Sequence, residues 1–376
     1  MDSIAENIDI KKKFVEEYKT KVFPFLKGHE VLRRKLNENC NFKIIIAWFA
    51  YLTSLLLVYV FTNNYDPLPY AIRKFYLFMI SWFIVICIIY FSCSYKNKKN
   101  KEFCLNLKSH CFEYLLPALG DVKWSNNKNI ITDGNLEKSE LFAMFNKRTI
   151  DDELTGTYKN TKFKACETQL LYISGSGKNR SCTNIFKGIV LEFKLNKTFK
   201  TQTLISTKGD LTARDNHWLW AVFTLASFAE PITKCYTKGD YVSGNIFLAI
   251  GLLIAIIIFT YSFFSKNKNK EQKIILEDVK FNKKYHVYSD DQVEARCIVT
   301  PAFMEKFLNI RTAFGAKNAK CAFYENKIMF AISTNKNLFE IGSLNKSLLD
   351  PKSFSNLYRE ISAIYELIDY FKLNNY

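Results

Sequence analysis

The sequence predicts an α+β domain, with an antiparallel or mixed sheet and packed helices, together with transmembrane α-helical hairpins. The chain has 376 residues and is 48% hydrophobic and 16% aromatic, yet its formal net charge is +17. That combination is typical of long apolar blocks separated by basic segments, and not of an evenly mixed globular chain. Outside the apolar blocks, strand patterns of period two alternate with helical patterns, which predicts the α+β class.

Residues 1–41 form a polar N-terminal region. The apolar residues between Ile4 and Phe25 follow helical spacing, which predicts an amphipathic helix that ends near Pro24. We favour a juxtamembrane helix on the protein or membrane surface over a helix that pairs with a partner. The basic cluster Arg33-Arg34-Lys35 then precedes the first apolar block.

Residues 42–94 are predicted to form the first transmembrane hairpin. Its arms are the apolar blocks Phe42–Thr62 and Phe75–Cys93. A helix of 21 residues, at about 1.5 Å per residue, spans about 30 Å, which is the thickness of a hydrocarbon core. Basic residues flank both outer ends, whereas the loop between the arms carries few charges. The positive-inside rule therefore places both ends of this hairpin in the cytoplasm.

Residues 95–212 return to a soluble pattern and are predicted to form the first part of the α+β domain. Helical spacing predicts an amphipathic helix over 102–119 and a second helix over Leu136–Phe145. From Leu154 the pattern changes to strands, with a turn at Lys159-Asn160. The predicted strands are 155–159, 161–174, 185–195 and 200–207.

Residues 213–265 are predicted to be a second, inserted transmembrane hairpin. Val242–Phe264 is long enough to span a bilayer, whereas Trp218–Ala229 is too short unless the span extends over 216–233. If both segments cross, the C-terminal region stays in the cytoplasm; if only the second crosses, residues 265–376 lie outside. The lysines that follow Phe264 favour two crossings.

Residues 266–376 are predicted to form the second part of the α+β domain. Strands are predicted over 273–279 and Lys284–Tyr288, and a hairpin with its turn at Glu325-Asn326 follows further along. Helix starts are predicted by the capping-box spacing of Ser289 and Gln292 and by Thr300-Pro301. An amphipathic helix over Phe354–Lys372 is expected to pack on the sheet.

Two groups of carboxylates are the densest candidates for chemistry in the soluble regions. They are Asp151-Asp152-Glu153 with Glu167, and Asp290-Asp291-Glu294. Such groups could hold a divalent cation or share acid–base work, but they are more often caps, turns and ion pairs. We assign no catalytic residue, no metal ligand and no cofactor. The candidate residues for a pocket or an interaction are Asp152, Glu167, Asp290, Asp291, Glu294 and Arg296.

Several familiar chemistries lack their motifs in this sequence. Ser174-Gly-Ser-Gly-Lys178 fails the P-loop pattern, because Tyr172 and Asn179 occupy the positions where glycine and Ser or Thr are needed. No HExxH or GxSxG motif and no paired metal-ligand spacing occurs. The ten cysteines show no framework, which predicts reduced thiols and a cytoplasmic location. The basic runs lie beside predicted spans, so we expect anionic lipid and not nucleic acid as their partner.

The segment from Ile275 to Ala331 resembles the bacterial DUF3137 family of uncharacterised membrane proteins. The resemblance rests on LED, F-x-K-K-Y-x-V-Y-S-x-D-Q-V-E-A-R, T-P-A-F-M-E and F-x-x-N-K-I-x-x-A-I. It covers most of residues 75–205 and 273–372. Further blocks that resemble the family are Ser139-Glu-Leu-Phe142, Asp151-Asp-Glu-Leu-Thr-Gly156, Lys162-Phe163 with Glu167, and Phe186-Lys-Gly188 through Phe193, Asn196 and Phe199.

The resemblance implies a multi-pass bacterial inner-membrane protein with a cytoplasmic α+β domain and cytoplasmic termini, and it supplies no substrate. Where family members have a modest polar linker, this chain has an apolar hairpin over Thr207–Gln272. An insertion within one domain must return the chain to the same side of the membrane, which favours two crossings.

Two functions are compatible with these patterns. The first is a membrane-anchored scaffold that binds the lipid bilayer and a protein partner and could also self-associate. The second is a membrane-bound enzyme or ligand sensor with a carboxylate-containing pocket. We favour the first, non-enzymatic role, because the acidic groups have ordinary structural explanations. A transporter is disfavoured, since the predicted spans lack central ionisable residues.

Overall fold

A computed structural model describes residues 2–63, 70–126, 128–175, 180–210, 228, 231–237, 240–268, 272–310, 314 and 318–371. The chain divides into two compact units. The helical unit comprises Met1–Leu119 and Phe339–Tyr358, and the sheet unit comprises Gly120–Leu338 and Arg359–Tyr376. Most of the predicted span Trp218–Ala229, and the centre of the glycine-rich loop at 176–179, lie outside the described residues.

The helical unit begins with α1 (Asp2–Glu17), a π-helical turn (Tyr18–Val22) and α2 (Phe23–Asn63). The predicted helix end near Pro24 is therefore wrong. Proline in a helix lacks an N–H and clashes with the carbonyl four residues earlier. Here the π-turn ends at Val22, two residues before the proline, and Phe23 N–H donates to the Tyr18 carbonyl five residues back. This wider turn lets the chain stay helical through Pro24.

Helix α3 (Tyr70–Leu119) runs antiparallel to α2. Phe25 stacks on His110 with ring centroids 3.8 Å apart, and further along α2 the Asn41 side chain accepts a hydrogen bond from Lys96 at 2.9 Å. The helix predicted over 102–119 is confirmed as the last part of α3. Helix α2 runs without a break from a polar part into an apolar part, and α3 runs without a break from an apolar part into a polar part.

An irregular segment within residues 339–351 lies against α2 and α3 and is held by buried polar groups. Glu30 accepts hydrogen bonds from Arg33 and from the Leu348 amide at 3.0 Å, and Arg33 donates to the Leu344 carbonyl at 2.6 Å. Lys108 on α3 forms an ion pair of 2.9 Å with Glu340. These contacts satisfy backbone groups of a loop that has no sheet partner.

The sheet unit contains one nine-stranded sheet in the order β1-β2-β3-β4-β9-β8-β5-β7-β6. Every neighbouring pair is antiparallel, which selects the antiparallel alternative of the predicted fold class. The strands are β1 (Asp121–Asn126), β2 (Lys147–Tyr158), β3 (Thr161–Ser174), β4 (Ser181–Lys194), β5 (Thr203–Thr207), β6 (Gln272–Ile274), β7 (Tyr285–Ser289), β8 (Asn318–Tyr324) and β9 (Lys327–Ser333).

Both predicted hairpin turns are confirmed. Lys159 and Asn160 have φ of 44° and 65°, and Glu325 has φ of 50°, in the left-handed region that tight hairpin turns require. The helices of this unit include α4 (Asp133–Lys138), α5 (Tyr241–Lys268), α6 (Val279–Lys284), α7 (Gln292–Ile298), α8 (Pro301–Asn309) and most of α9 (Lys352–Phe371).

The helix predicted over Leu136–Phe145 is wrong in its bounds, because α4 ends at Lys138. Glu140 adopts a φ of 54°, which a continuing right-handed helix does not allow. The Ser139 hydroxyl donates to the Leu136 carbonyl and accepts from the Leu141 amide, and these bonds close the turn. Leu141 and Phe142, the apolar residues that suggested a helix, are buried, but they lie in an irregular segment.

Each face of the sheet is covered. On one face, residues 130–145 pack over Cys166, Leu170, Phe186 and Val190. On the other face α9 packs as predicted: Tyr365 stacks on Tyr158 at 4.2 Å, and Phe371 contacts Phe330 at 5.3 Å. The strand on one side of the 208–271 insertion, β5, pairs directly with β7 and β8 from the other side. The insertion therefore leaves and rejoins a single sheet.

Candidate functional site

The first candidate group lies at a β-bulge. The register between β2 and β3 shifts between Ile150 and Glu153, so Asp151 and Asp152 together oppose Glu167. Carboxylate oxygens of Asp151, Asp152 and Glu167 all lie within 4.8 Å of one another. The bulge thus brings together Asp152 and Glu167, two of the predicted site residues, with Asp151 as a third carboxylate.

The two buried carboxylates of this group each have a hydrogen-bond donor. Asp152 is 1% exposed and accepts from Trp124 Nε1 at 2.8 Å, and Glu167 is 6% exposed and accepts from the Leu338 amide at 3.0 Å. Asp151 is exposed. Three oxygen donors at this separation could bind a divalent cation such as Ca²⁺ or Mg²⁺. The arrangement is an oxygen-donor cluster with one side open to solvent.

Glu153, the next residue along β2, has a different role. It is fully buried and accepts hydrogen bonds from the backbone amides of Lys128, Asn129 and Ile130 at 2.5, 3.2 and 2.8 Å. Nearby, the buried Arg148 side chain donates to the Ile131 carbonyl at 2.7 Å. These charged groups fix the loop that precedes α4, because they satisfy backbone groups that have no strand partner.

The second candidate group stabilises the start of α7. Asp291 is the N-cap and accepts from the amides of Val293 and Glu294 at 2.8 and 3.1 Å. The predicted capping box led by Ser289 is therefore wrong. Ser289 is still the last residue of β7, and its buried hydroxyl accepts from Thr203 Oγ1 at 3.0 Å. Sheet pairing holds Ser289, so the helix begins two residues later.

Glu294 and Arg296 attach α7 to neighbouring segments. Glu294 accepts from the amides of Lys200 and Thr201 at 3.0 and 2.8 Å. Burial raises the pKa of Glu294, but these hydrogen bonds favour the charged form, and the net result is a lowered pKa. Arg296 donates to Glu277 at 2.7 Å and to the Ile275 carbonyl at 2.9 Å. Both side chains therefore stabilise contacts between α7 and neighbouring segments of the chain.

A groove lined by lysines lies elsewhere on the sheet, and the sequence did not single it out. Cross-strand register places Lys162, Lys194 and Lys327 in one row on three adjacent strands, β3, β4 and β9. The groove has a volume of about 640 Å³. Its described lining residues are Asp121, Lys123, Thr155, Gly156, Thr157, Lys162, Phe163, Lys164, Glu192, Lys194, Asn326 and Lys327. The alternation Lys162–Lys164 was visible in the sequence, but the pairing register that forms the row was not.

The helical unit carries a continuous set of exposed apolar side chains, which we call the apolar belt. Phe49 and Leu52 on α2 are 63% and 56% exposed, and Phe91 on α3 is 70% exposed. The belt consists of Phe42, Ile45, Ile46, Trp48, Phe49, Leu52 and Leu56 on α2 and of Met79, Ile80, Trp82, Phe83, Ile84, Ile86, Tyr90 and Phe91 on α3.

The belt begins at the same level on both helices. Lys43 lies 4.0 Å from the centroid of the Tyr95 ring, and Lys96 donates to Asn41 at 2.9 Å. Among the described residues, one helical stretch, within Asp9–Leu56, is long and apolar enough to cross a bilayer by length and composition. Tyr241–Ile257 is a shorter apolar stretch.

Helix α5 is closely approached by the described part of the chain that precedes it. A Cβ added at Gly251 would lie 3.1 Å from the Phe228 ring, and one added at Gly244 would lie 3.1 Å from the Tyr236 ring. The Tyr236 hydroxyl also bonds Asn245 at 2.5 Å. Position 228 thus faces 251 and position 236 faces 244. The described residues 228 and 231–237 therefore run antiparallel to α5.

A family model, described as a protein of unknown function (DUF3137), matches residues 184–373 of this chain. No curated protein matches the chain, and no solved structure matches it.

Proposed function

We propose a function from the premise that the chain belongs to the DUF3137 family, whose function is unknown: it is a membrane-anchored protein that presents its α+β domain to a protein partner. The apolar belt is the observation that carries this proposal. Burying one large apolar side chain contributes about 1.5–3 kcal/mol. A belt of fifteen such side chains on two neighbouring helices would be very unfavourable in water. A hydrocarbon core removes that cost.

The lower edge of the belt supports insertion as a hairpin. Lys43 on α2 contacts Tyr95 on α3, and Lys96 on α3 contacts Asn41 on α2, at the level where the side chains change from polar to apolar. Basic and aromatic residues concentrate at membrane–water interfaces. Both arms of the hairpin over 42–94 then enter the bilayer at the same level.

The sheet register supports an even number of crossings in the insertion. Because β5 pairs with β7 and β8, the chain on both sides of residues 208–271 is on one side of any membrane. If α5 crosses, a second crossing must precede it. The antiparallel approach of Phe228 and Tyr236 to Gly251 and Gly244 fits such a hairpin, since small residues allow close helix contacts in membranes.

The proposed location is the bacterial inner membrane, with multiple spans and with both termini in the cytoplasm. The orientation follows from the basic residues outside the arms of the first hairpin, including Arg33, Arg34, Lys96 and Lys98. The even number of crossings in the insertion then keeps the C-terminal part on the same side.

Fractionation and fusion reporters test the anchor and its orientation. We expect the full chain to stay in the membrane pellet after alkaline carbonate extraction, because its spans lie in hydrocarbon. We expect a C-terminal green fluorescent protein to fluoresce and a C-terminal alkaline phosphatase to be inactive, as in the cytoplasm. Extraction of the chain by carbonate would refute the anchor, and the opposite reporter pattern would refute the two-hairpin topology.

The scaffold role is tested separately by purification from native membranes. We expect a tagged full chain, extracted in mild detergent, to retain a second protein in fixed stoichiometry. Light scattering on the same sample measures self-association. A chain that purifies alone as a monomer from native membranes would refute the partner proposal and leave the membrane anchor unaffected.

The Asp151–Asp152–Glu167 group favours a second candidate, a ligand-sensing or catalytic pocket. This candidate now rests on those three carboxylates, since Glu294 and Arg296 hold α7. We expect Mn²⁺, Ca²⁺ or Mg²⁺ to raise the melting temperature of the chain and Asp151→Asn to remove that shift. Asp290→Asn, an exposed carboxylate of the other group, is the matched control. Equal shifts in both variants would refute the pocket.

A further inference from the structure

The lysine groove of the sheet unit brings like charges together. Lys162 directly opposes Lys194, and Lys194 directly opposes Lys327, so three ammonium-bearing residues follow one another across β3, β4 and β9. Neighbouring strands are about 4.8 Å apart, and like charges directly opposite each other destabilise a sheet. The row therefore costs stability in the free protein, as residues at a binding site often do.

Among the described lining residues of the groove, one carboxylate is buried. Glu192 is 4% exposed and lies 3.6 Å from Lys164 and 3.5 Å from Lys327, and it accepts from the Tyr324 hydroxyl at 3.3 Å. Lys164 also donates to the Ile130 carbonyl at 2.9 Å. Two of the lysines are thus held in place, which defines the shape of the floor.

The remaining lysines have no counter-charge. Within the described part of the chain, Lys123, Lys162 and Lys194 form no ion pair, and all three are exposed. Five lysines and two carboxylates line the groove, so its net formal charge is +3. Thr155 and Thr157 on β2 add hydroxyl groups: Thr155 lies between Lys123 and Lys164, and Thr157 lies between Asp121 and Lys162.

We propose that this groove binds a soluble ligand that carries two or more phosphate groups. Lysine binds phosphate as a point charge, and threonine hydroxyls donate to phosphate oxygens. The volume of about 640 Å³ lies in the range of small-molecule sites, roughly 300–1,000 Å³. Binding neutralises the lysine row and thereby removes the repulsion that the free sheet bears.

The lining favours a small phosphorylated ligand over a nucleic acid. Single-stranded nucleic acids bind on exposed aromatic faces, where bases stack. The single aromatic residue among the described lining residues, Phe163, is 2% exposed and offers no such face. The lining also contains no arginine among those residues, and arginine is the side chain that reads planar or paired acceptors.

Titration with inorganic triphosphate tests the proposal on the full chain in detergent micelles, in buffer of low ionic strength without divalent ions. We expect saturable binding by isothermal titration calorimetry and a raised melting temperature. Lys162→Gln combined with Lys194→Gln should weaken binding by at least about tenfold, because two charge-assisted contacts are lost. Without ligand, that variant should melt at or above the wild-type temperature, since repulsion in the row is relieved.

Lys187→Gln is the matched control. It removes the same charge from an exposed site on β4 outside the groove and should bind triphosphate within about twofold of the wild type. Absence of saturable binding, or equal affinity in the groove variant, would overturn the proposal. Binding to anionic vesicles without binding to triphosphate would overturn it in favour of a lipid headgroup, and tighter binding of single-stranded DNA in favour of nucleic acid. None of these outcomes depends on the membrane topology.

Discussion

The helical unit and the sheet unit place the same kinds of side chain in opposite environments. In the sheet unit, Leu191, Phe193 and Phe330 on the central strands are fully buried. In the helical unit, large apolar side chains such as Phe49 and Leu52 are more than half exposed. Composition alone therefore does not reveal what covers the apolar surface of a segment. Within the sheet unit the protein itself covers that surface, and for the apolar belt we propose that lipid does.

Charged groups show the reverse contrast. The helical unit buries a network of Glu30, Arg33, one backbone amide and one backbone carbonyl, whereas the sheet unit places three lysines in one row, two of them exposed. The buried network holds a loop in place, and its charges are matched. Within the described part of the chain, Lys162 and Lys194 of this row form no ion pair, which is why we associate the row with a ligand and the network with structure.

The largest expected difference between the two units is in the unfolding free energy of glycine-to-alanine variants. Gly188 on β4 has a φ of 155°, and a Cβ there would overlap the carbonyl oxygen of Ile332 on β9. Gly28 on α2 has no heavy atom within 4 Å of an added Cβ. We expect Gly188→Ala to cost more than about 4 kcal/mol of unfolding free energy. Gly28→Ala should stabilise the helix by up to about 1 kcal/mol.

Thermal unfolding of the two variants in detergent, followed by circular dichroism, measures the difference. A Gly188→Ala protein that melts with the wild type would show that β4 and β9 are farther apart than described. A clearly destabilised Gly28→Ala protein would show that this exposed helix position makes a contact.

Truncating one leucine in each unit tests the contrast in apolar burial directly. Leu191→Ala removes a fully buried side chain from β4 and should cost about 2–5 kcal/mol of unfolding free energy. Leu52→Ala removes a side chain of the apolar belt and should change it by less than about 0.5 kcal/mol, because it has few protein neighbours. Melting of both variants in the same detergent gives the comparison. Equal losses would indicate that the belt is buried against protein.

Leu52→Lys sharpens the same contrast. A lysine at the centre of a span costs about 2.5–3.5 kcal/mol for insertion. We expect less of this variant in the carbonate-resistant membrane fraction than of Leu52→Ala. Equal amounts of the two variants would place residue 52 away from lipid.

Local signals in the sequence predicted much of this fold. Strand-like runs located the strands around β3, β7, β8 and β9, and turn residues located the hairpins at Lys159-Asn160 and Glu325-Asn326. Thr300 and Pro301 predicted the start of α8, where Thr300 accepts from the Phe303 amide. These features depend on a few neighbouring residues, which is why the sequence alone was sufficient.

The errors arose where distant contacts override local preference. A π-turn allows the helix to continue through Pro24. Ser289 pairs with Thr203 in the sheet and therefore does not cap a helix as predicted. The candidate residues Asp152 and Glu167 were named from their charge, but their convergence depends on the bulge in β2, which no residue pattern marks. The lysine row depends on the register of three strands in the same way.

Glu30 provides a pH test of the buried network in the helical unit. The hydrogen bonds from Arg33 are the largest of the influences that lower its pKa from 4.5 to about 2, against the effect of burial. Because the folded pKa lies below the unfolded value, the stabilisation is complete above pH 4.5 and is lost as pH falls toward 2. At pH 3 the loss is about 2 kcal/mol. Melting temperatures at pH 6 and pH 3 should therefore differ more for the wild type than for Glu30→Gln.

Glu38→Gln is the matched control, since Glu38 is exposed on the same helix. It should keep the pH dependence of the wild type, because no buried arginine depends on it. Glu30→Gln should already melt lower at pH 6, since it leaves Arg33 without its charged partner in a site where Arg33 is 9% exposed. If Glu30→Gln kept the pH dependence of the wild type, other carboxylates would cause the acid sensitivity. The Glu30–Arg33 pair would then contribute little to stability.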